Sequence, residues 1–355
     1  MPKAVVLVSS DTSYLERKLS ILNYQTYPID EFNHKNIHML RDLDFTNNFI
    51  NMVKSKHSHP YLIYGSGLED KKTIYNLFSN NLIVKGNELN MLSRLNDFSL
   101  LKPIFDNCNL KTPDYFDQEK YNIKKYIWKP FNGSGGYSIS YNLQKESSHY
   151  KQKFLPGHTF SISFICNDKS FKFLGFNQLF LLKDYTKHPF IHAGAMMINL
   201  CQETESIITS FRKLAKGLSL RGYNNIDFKI IDNDIYILDI NPRITSTFKM
   251  YNDICNNNLL KLQLNEDDIV FDTIAISNDS IHGYFHLFAK ENFYFKKYLP
   301  DDSFANLPKD DEYIQKGEPI FSIYLDALTE EDLKLKFHEK ISNLRNYYNF
   351  YDIVI

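Results

Sequence analysis

One stretch near the middle of the chain restricts the fold more than any other: Asn225-Ile-Asp227-Phe-Lys-Ile-Ile231-Asp-Asn-Asp234-Ile-Tyr-Ile-Leu-Asp239-Ile-Asn241-Pro-Arg243. Alternation over 226–231 and 235–240, around Asp232-Asn233-Asp234, predicts a β-hairpin with a three-residue loop. With that loop centred on Asn233, Asp227 faces Asp239, Lys229 faces Ile237 and Ile231 faces Ile235. One face (Ile226, Phe228, Ile230, Tyr236, Leu238 and Ile240) is then core. The other places Asp227 and Asp239 at the same cross-strand position, with Cβ atoms about 5 Å apart, and continues through Asn241 to Arg243. Opposed carboxylates repel, so two of them beside an asparagine call for a divalent cation between them. Oxygen donors select a hard ion, Mg²⁺ or Mn²⁺, of the kind that works together with substrate phosphates. The alternative is a different register in which both acids are solvated.

A second signal lies upstream, in Lys129-Pro-Phe-Asn132-Gly133-Ser134-Gly135-Gly136. A cation at the end of a strand is followed at once by a glycine loop, whose backbone N–H groups can approach phosphate oxygens because no Cβ intervenes. The lysine adds a point charge for the same oxygens. The plain alternative is a flexible hairpin with a solvated lysine. A protein-kinase site is excluded by order, since there the glycine loop precedes the lysine and a His-Arg-Asp loop follows.

The rest of the chain frames these blocks. With 41 Lys+Arg against 42 Asp+Glu the formal charge is −1, which argues against a polybasic nucleic-acid or membrane binder. The 355 residues suggest two or three domains, and 24 Tyr and 28 Phe supply the apolar surface that a disordered chain lacks. Cys108, Cys166, Cys201 and Cys255 form no CxxC pair, and no apolar run approaches a membrane span, so a cytoplasmic protein is expected. Ala4-Val-Val-Leu-Val8 reads as the first buried strand of an α/β domain. A second strand, Tyr61–Tyr64, runs into Gly65-Ser66-Gly67, with a helix over 70–79, and this loop completes neither GxGxxG nor a P-loop. Helical spacing covers 87–101, 204–218 and 329–347. Strands are expected at 126–128, 159–165, 171–173, 281–289, 293–295 and 320–325, and the Asn- and acid-rich 256–270 reads as a boundary.

Taken in order, Lys129 with its glycine loop, Gln152-Lys-Phe-Leu155-Pro-Gly157-His-Thr-Phe-Ser161, Gly222 to Asp227 and Leu238-Asp-Ile-Asn241-Pro-Arg243 resemble an ATP-grasp enzyme. More narrowly they resemble the carboxylase-related carboxylate–amine ligases, the group that includes tyramine–glutamate ligase. The resemblance covers about 89–250 and extends weakly to Gly65-Ser-Gly-Leu-Glu69 and Ile314-Gln-Lys-Gly317-Glu-Pro-Ile-Phe. It implies an α+β ATP-grasp fold: an N-terminal α/β domain (1–88), an ATP-grasp domain of two lobes hinged near 152–155 (89–256) and a β-rich C-terminal region with a closing helix (257–355).

The same resemblance implies roles. Arg94 and Lys129 would contact ATP phosphates under the loop Asn132, Gly133, Ser134, Gly135 and Gly136. Gln152, Lys153, Phe154 and Leu155 would read the adenine edge. Asp227, Asp239 and Asn241 would hold one or two Mg²⁺ or Mn²⁺ ions, and Arg243 would sit at the transferred phosphoryl group and the substrate carboxylate. Catalysis would then fall to Lys129 and Arg243. The second metal ligand of the family is usually Glu, so Asp239 requires a shifted backbone or a bridging water, or else marks a weak metal site. No acid stands in the hinge for the ribose, where Gln178 and His158 are candidates. The implied partners are ATP and small carboxylate and amine molecules, with a homodimer as an option. Arg221, His192 and Lys249 are candidates to bind a substrate carboxylate, each equally well read as a surface charge. Other readings of the same site are a carboxylase, a kinase-type phosphotransferase or a nucleotide-binding homologue without turnover.

Overall fold

A computed structural model describes residues 3–30, 40, 42–68, 71–95, 98–114, 126–131, 133, 135–142, 148–200, 204–264, 271, 280–298 and 303–355. The chain begins with β1 (Ala4–Ser9), α1 (Ser13–Ile21), β2 (Gln25–Asp30), α2 (Leu43–Lys56), β3 (Tyr61–Tyr64), α3 (Lys72–Asn81) and β4 (Ile83–Val84). These strands make a parallel sheet in the order β2-β1-β3-β4. The continuous apolar run of β1 is buried throughout, as a strand covered on both faces requires. Helix α2 starts where the Asp42 carboxylate caps the N–H groups of Asp44 and Phe45 at 2.8 and 3.2 Å. At the far end of β3, Gly65 makes room for Ser9, whose Oγ would lie 2.4 Å from a Cβ at that position.

Helices α4 (Asn90–Arg94) and α5 (Phe98–Asn107) replace the single helix expected over 87–101. The hairpin β5 (Tyr126–Pro130) and β6 (His149–Lys153) follows. Next come β7 (Thr159–Cys166), β8 (Phe171–Leu182), β9 (His192–Ile198), α6 (Thr204–Leu218), β10 (Gly222–Ile231) and β11 (Asp234–Asn241). Strand β8 is much longer than 171–173, because its later half alternates between core and cavity and its apolar pattern is diluted by Gly175, Asn177 and Gln178. The last third contributes α7 (Thr247–Ile254), α8 (Asn258–Gln263), β12 (Ile281–Phe288), β13 (Phe293–Tyr294), β14 (Phe304–Ala305), β15 (Tyr313–Ile314), β16 (Pro319–Ala327), α9 (Glu330–Leu344) and β17 (Ile353–Val354). Strands β12, β16 and β14 do not form a sheet of their own. They continue the order β11-β10-β7-β8-β9, with β17 added to β8.

The hairpin β10–β11 holds the expected pair, Asp227 opposite Asp239, by a different route. Its loop has two residues, Asp232 and Asn233, both at positive φ (51° and 68°), with Ile231 opposite Asp234. That is the turn whose twist matches the strands it joins. The one-residue shift is cancelled by a bulge at Leu238, so Phe228 faces Ile237 and Lys229 faces Tyr236. The expected core face is therefore corrected. Ile226, Phe228, Ile237 and Ile240 are buried against α6 and α5, whereas Ile230 is 36% exposed and Leu238 turns to the cavity.

Candidate active site

A cavity of about 1220 Å³ is lined by the long sheet, the β5–β6 hairpin and the loops after β1 and β3. Its floor is the hairpin: Asn225 and Asn241 form one cross-strand pair, Asp227 and Asp239 the next. The bulge at Leu238 immediately precedes Asp239. Lys129, from the end of β5, donates to the Leu238 carbonyl at 2.8 Å. Arg243, only 8% exposed, continues the lining beyond Asn241.

The electrostatics follow from burial. Asp227 is pushed up to about 8 by burial first and by Asp239 second, with Lys129 and Arg243 pulling the other way. Lys129 is raised, because Tyr150, Asp239 and Asp227 together outweigh the burial that opposes its charge. A second cation fits this imbalance. The oxygens of Asp227, Asp239 and Asn241 are a hard donor set with places left for phosphate and water, as Mg²⁺ or Mn²⁺ prefers. Among the described residues no group of three or more His, Cys, Asp or Glu side chains competes for a metal.

The opposite wall is the end of β6 and the residues that follow it. Gln152, Lys153, Phe154 and Leu155 all line the cavity. Among the described residues the buried Gln152 Nε2 has no hydrogen-bond partner, which leaves a donor for a ligand. Gln178 Nε2 and His158 Nδ1 meet at 3.2 Å beside it. The glycine loop covers this end. Gly135 and Gly136 line the cavity, the His192 N–H donates to the Gly135 carbonyl at 3.0 Å, and a Cβ on Gly136 (φ +79°) would lie 1.9 Å from the Phe190 carbonyl oxygen. Tyr141, Phe154 and Phe190 pack with ring centres 5.0–6.1 Å apart and join loop, hinge and β9 approach.

Not every sequence candidate arrives here. Asn132 and Ser134 lie outside the described residues, and Gly133 is described but off the lining. Arg94 ends α4 exposed and away from the cavity. Arg221 is exposed and paired with Asp168 at 2.6 Å, whereas His192 and Lys249 both reach the cavity. Several lining residues carried no sequence signal of their own. Lys229, lowered to about 8 by burial, donates to the Gly157 carbonyl, and only its period-two relation to Asp227 marks it. Tyr14, Tyr284, His286 and Tyr324 come from segments far apart in sequence.

Residues 96–247 match the ATP-grasp domain family. The chain carries an ATP-grasp domain. An uncharacterized protein of Methanocaldococcus jannaschii is 28% identical over 259 residues, 70% of this chain and 61% of that protein. Tyramine–L-glutamate ligase of Methanocaldococcus fervens is 31% identical over 138 residues, 39% of this chain and 42% of that one. The chain thus spans less than two thirds of the length of these relatives. Biotin carboxylase from Campylobacter jejuni, solved as a βγ-ATP complex, shares the fold, with a TM-score of 0.72 at 11% identity over 100% of this chain and 92% of that one. The α+β ATP-grasp fold is therefore that of the molecule as a whole. No helix among the described residues is long and apolar enough to cross a membrane.

Proposed function

We propose that the protein is an ATP-dependent, ADP-forming ligase that joins a small, amino-acid-like carboxylate to an amine. The observation that carries this reading is the buried Asp227/Asp239 pair facing Lys129 and Arg243 in one cavity, under a docked glycine loop. The likeness to tyramine–L-glutamate ligase supports C–N bond formation as the chemistry. In this reading residues 89–256 hold the nucleotide, while 1–88 and 257–355 complete the far end of the cavity.

The hinge Gln152–Leu155 takes the adenine and Lys129 the phosphates. One or two Mg²⁺ or Mn²⁺ ions held by Asp227, Asp239 and Asn241 supply charge neutralisation for the phosphoryl group and for ADP. Arg243 orients the substrate carboxylate, whose oxygen attacks the γ-phosphorus in line while the bond to the ADP oxygen breaks. The resulting acyl phosphate is attacked by the amine nitrogen, which loses a proton as phosphate leaves. Gly135, Gly136 and the aromatic triad at Tyr141, Phe154 and Phe190 keep water from the intermediate.

An ADP-release screen across carboxylates and amines, followed by mass spectrometry of the product, tests this. ADP and an amide are expected. AMP with pyrophosphate, or ATP turnover indifferent to every acid and amine, overturns the reading. Fixation of labelled bicarbonate or a stable phosphorylated product would replace it with a carboxylase or a kinase.

A further inference from the structure

Beyond Arg243 the cavity runs on to a second end. In the N-terminal sheet, β1 and β3 are neighbours, with β2 outside one and β4 outside the other. The strand order therefore reverses between their carboxyl ends, the place where open parallel sheets hold ligands. Ser10 follows β1 and Ser66 follows β3. Their hydroxyls are hydrogen-bonded at 2.7 Å, and both residues line the cavity. Lys249, from α7, reaches the same end, its Nζ 3.7 Å from the centre of the Tyr324 ring.

The charges clustered here place one cation, Lys249, on the cavity lining. Asp253 lies 2.8 Å from Lys18 Nζ and 3.7 Å from Lys249 Nζ, and its other hydrogen bond is from the Tyr14 hydroxyl at 2.8 Å. Lys249 is lowered by burial and then by the nearby charges of Arg17 and Lys18, against the pull of Asp253. Asp11 lines this end too, with Oδ1 accepting the Ser13 N–H at 3.0 Å. Of the cations in this group Lys249 lines the cavity, whereas Arg17 and Lys18 are not on its lining. The neighbouring imidazoles of His192 and His286 are held neutral by burial, so the positive charge facing this end is that of Lys249.

Resting on the ligase reading, we infer that this end binds a second anionic group, a carboxylate or a phosphate, on the molecule whose carboxylate is activated beside Arg243. The acid substrate is thus a dianion, held at its reacting end by Arg243 and at its far end by Lys249 with the Ser10 and Ser66 hydroxyls.

The test uses hydroxylamine as the amine and compares glutarate, 4-phosphonobutyrate and pentanoate as acids, reading ADP and hydroxamate. One or both dianions should outperform pentanoate, and the better of the two identifies the second group as carboxylate or phosphate. Lys249→Met should raise KM for that dianion at least tenfold and leave KM for ATP and for pentanoate unchanged, while Lys249→Arg should stay within threefold of the parent. Equal use of pentanoate and the dianions, or the same KM rise for both, overturns the inference. If no acid supports ADP release, the ligase reading fails first. Calorimetric binding of glutarate or 4-phosphonobutyrate in the presence of Mg-ADP then decides the second point: binding abolished by Lys249→Met upholds it, and no binding to the parent protein overturns it.

Discussion

The two ends of the cavity are built on opposite electrostatic plans. At the hairpin end, like charges are forced together: Asp227 is raised to about 8 by burial and by Asp239, so this end is strained until a cation arrives. At the far end, charge is suppressed. Burial lowers His192 to about 4, and burial with His192 lowers His286 to about 3, so both rings stay neutral and serve as hydrogen-bond partners of Tyr284 (2.7 Å) and Ser322 (2.6 Å). One end stores unfavourable charge for a ligand to relieve, and the other keeps its two imidazoles neutral around a single lining cation, Lys249. The difference separates a place where bonds are made from a place where a substrate is recognised.

Changing the hairpin acids should break this contrast most sharply. Asp227→Asn or Asp239→Asn is expected to lower ADP formation by about 10³-fold, roughly 4 kcal/mol of transition-state stabilisation. Asp239→Glu should retain most of the rate, because the bulge at Leu238 can relax. The stability effect runs the other way. An acid whose folded value is raised loses stability as pH climbs from its unfolded value near 4 towards 8, so metal-free Asp227→Asn should melt higher than the parent at pH 8 and equal to it at pH 4. Thermal melts with and without Mg²⁺ measure this, and an unchanged melting temperature at pH 8 would show that Asp227 is not strained.

The glycine loop tests the same end from above. A methyl at position 136 would meet the Phe190 carbonyl and a backbone at φ +79°. Gly136→Ala should therefore cost about 10- to 100-fold in kcat through incomplete closure, with little change in melting temperature, since the loop covers the site and carries little of the core. Single-turnover ADP formation reads it directly. A large drop in melting temperature with intact kcat would instead make the loop structural.

How much of this was legible in the sequence divides along the same line. The hairpin end is local: residues 225–243 carry alternation, a turn and paired acids in one window, and Asp227 opposite Asp239 can be read from period two alone. Even there the route was misjudged. A turn with two residues at positive φ and a bulge at Leu238 are compensating one-residue shifts, invisible to a periodicity argument, and they exchange Leu238 for Ile237 in the core. The far end is non-local. Tyr14 and Lys249 come from α1 and α7, Tyr284 and Tyr324 from β12 and β16, which extend the central sheet, and single polar residues on separate helices and strands leave no pattern to find.

The far end has its own pH signature, opposite in sign to the first. Histidines whose folded values are depressed contribute full stability above their unfolded value near 6.5, and that contribution is lost as pH falls towards 4 and 3. In an Asp227→Asn background, which removes the opposing contribution of that acid, the protein should lose about 5 °C of melting temperature between pH 6.5 and pH 4.5. His286→Asn should flatten that slope while keeping a hydrogen bond to Ser322. A slope unchanged by this variant, or by His192→Gln, would mean that the rings already carry charge in the folded protein and that the contrast between the two ends fails.

The smallest expected effect concerns Arg94, which the family resemblance assigns to the ATP phosphates but which stands exposed at the end of α4, off the cavity lining. Lys129, by contrast, is held against the Leu238 carbonyl by a bond of 2.8 Å between its own strand and β11, the strand of Asp239. With Lys129 positioned and Arg94 solvated, Arg94→Ala should change KM for ATP by less than about twofold, in the range of a screened surface charge. Lys129→Met should raise it by more than tenfold. Steady-state KM values at two ionic strengths separate the cases. A surface charge acting at long range loses its small effect in high salt, whereas a guanidinium that swings onto the phosphates in the ATP complex would give a large effect that salt does not remove. The second outcome would add α4 to the hairpin end and make the Arg94 guanidinium a phosphate contact of the nucleotide-bound state.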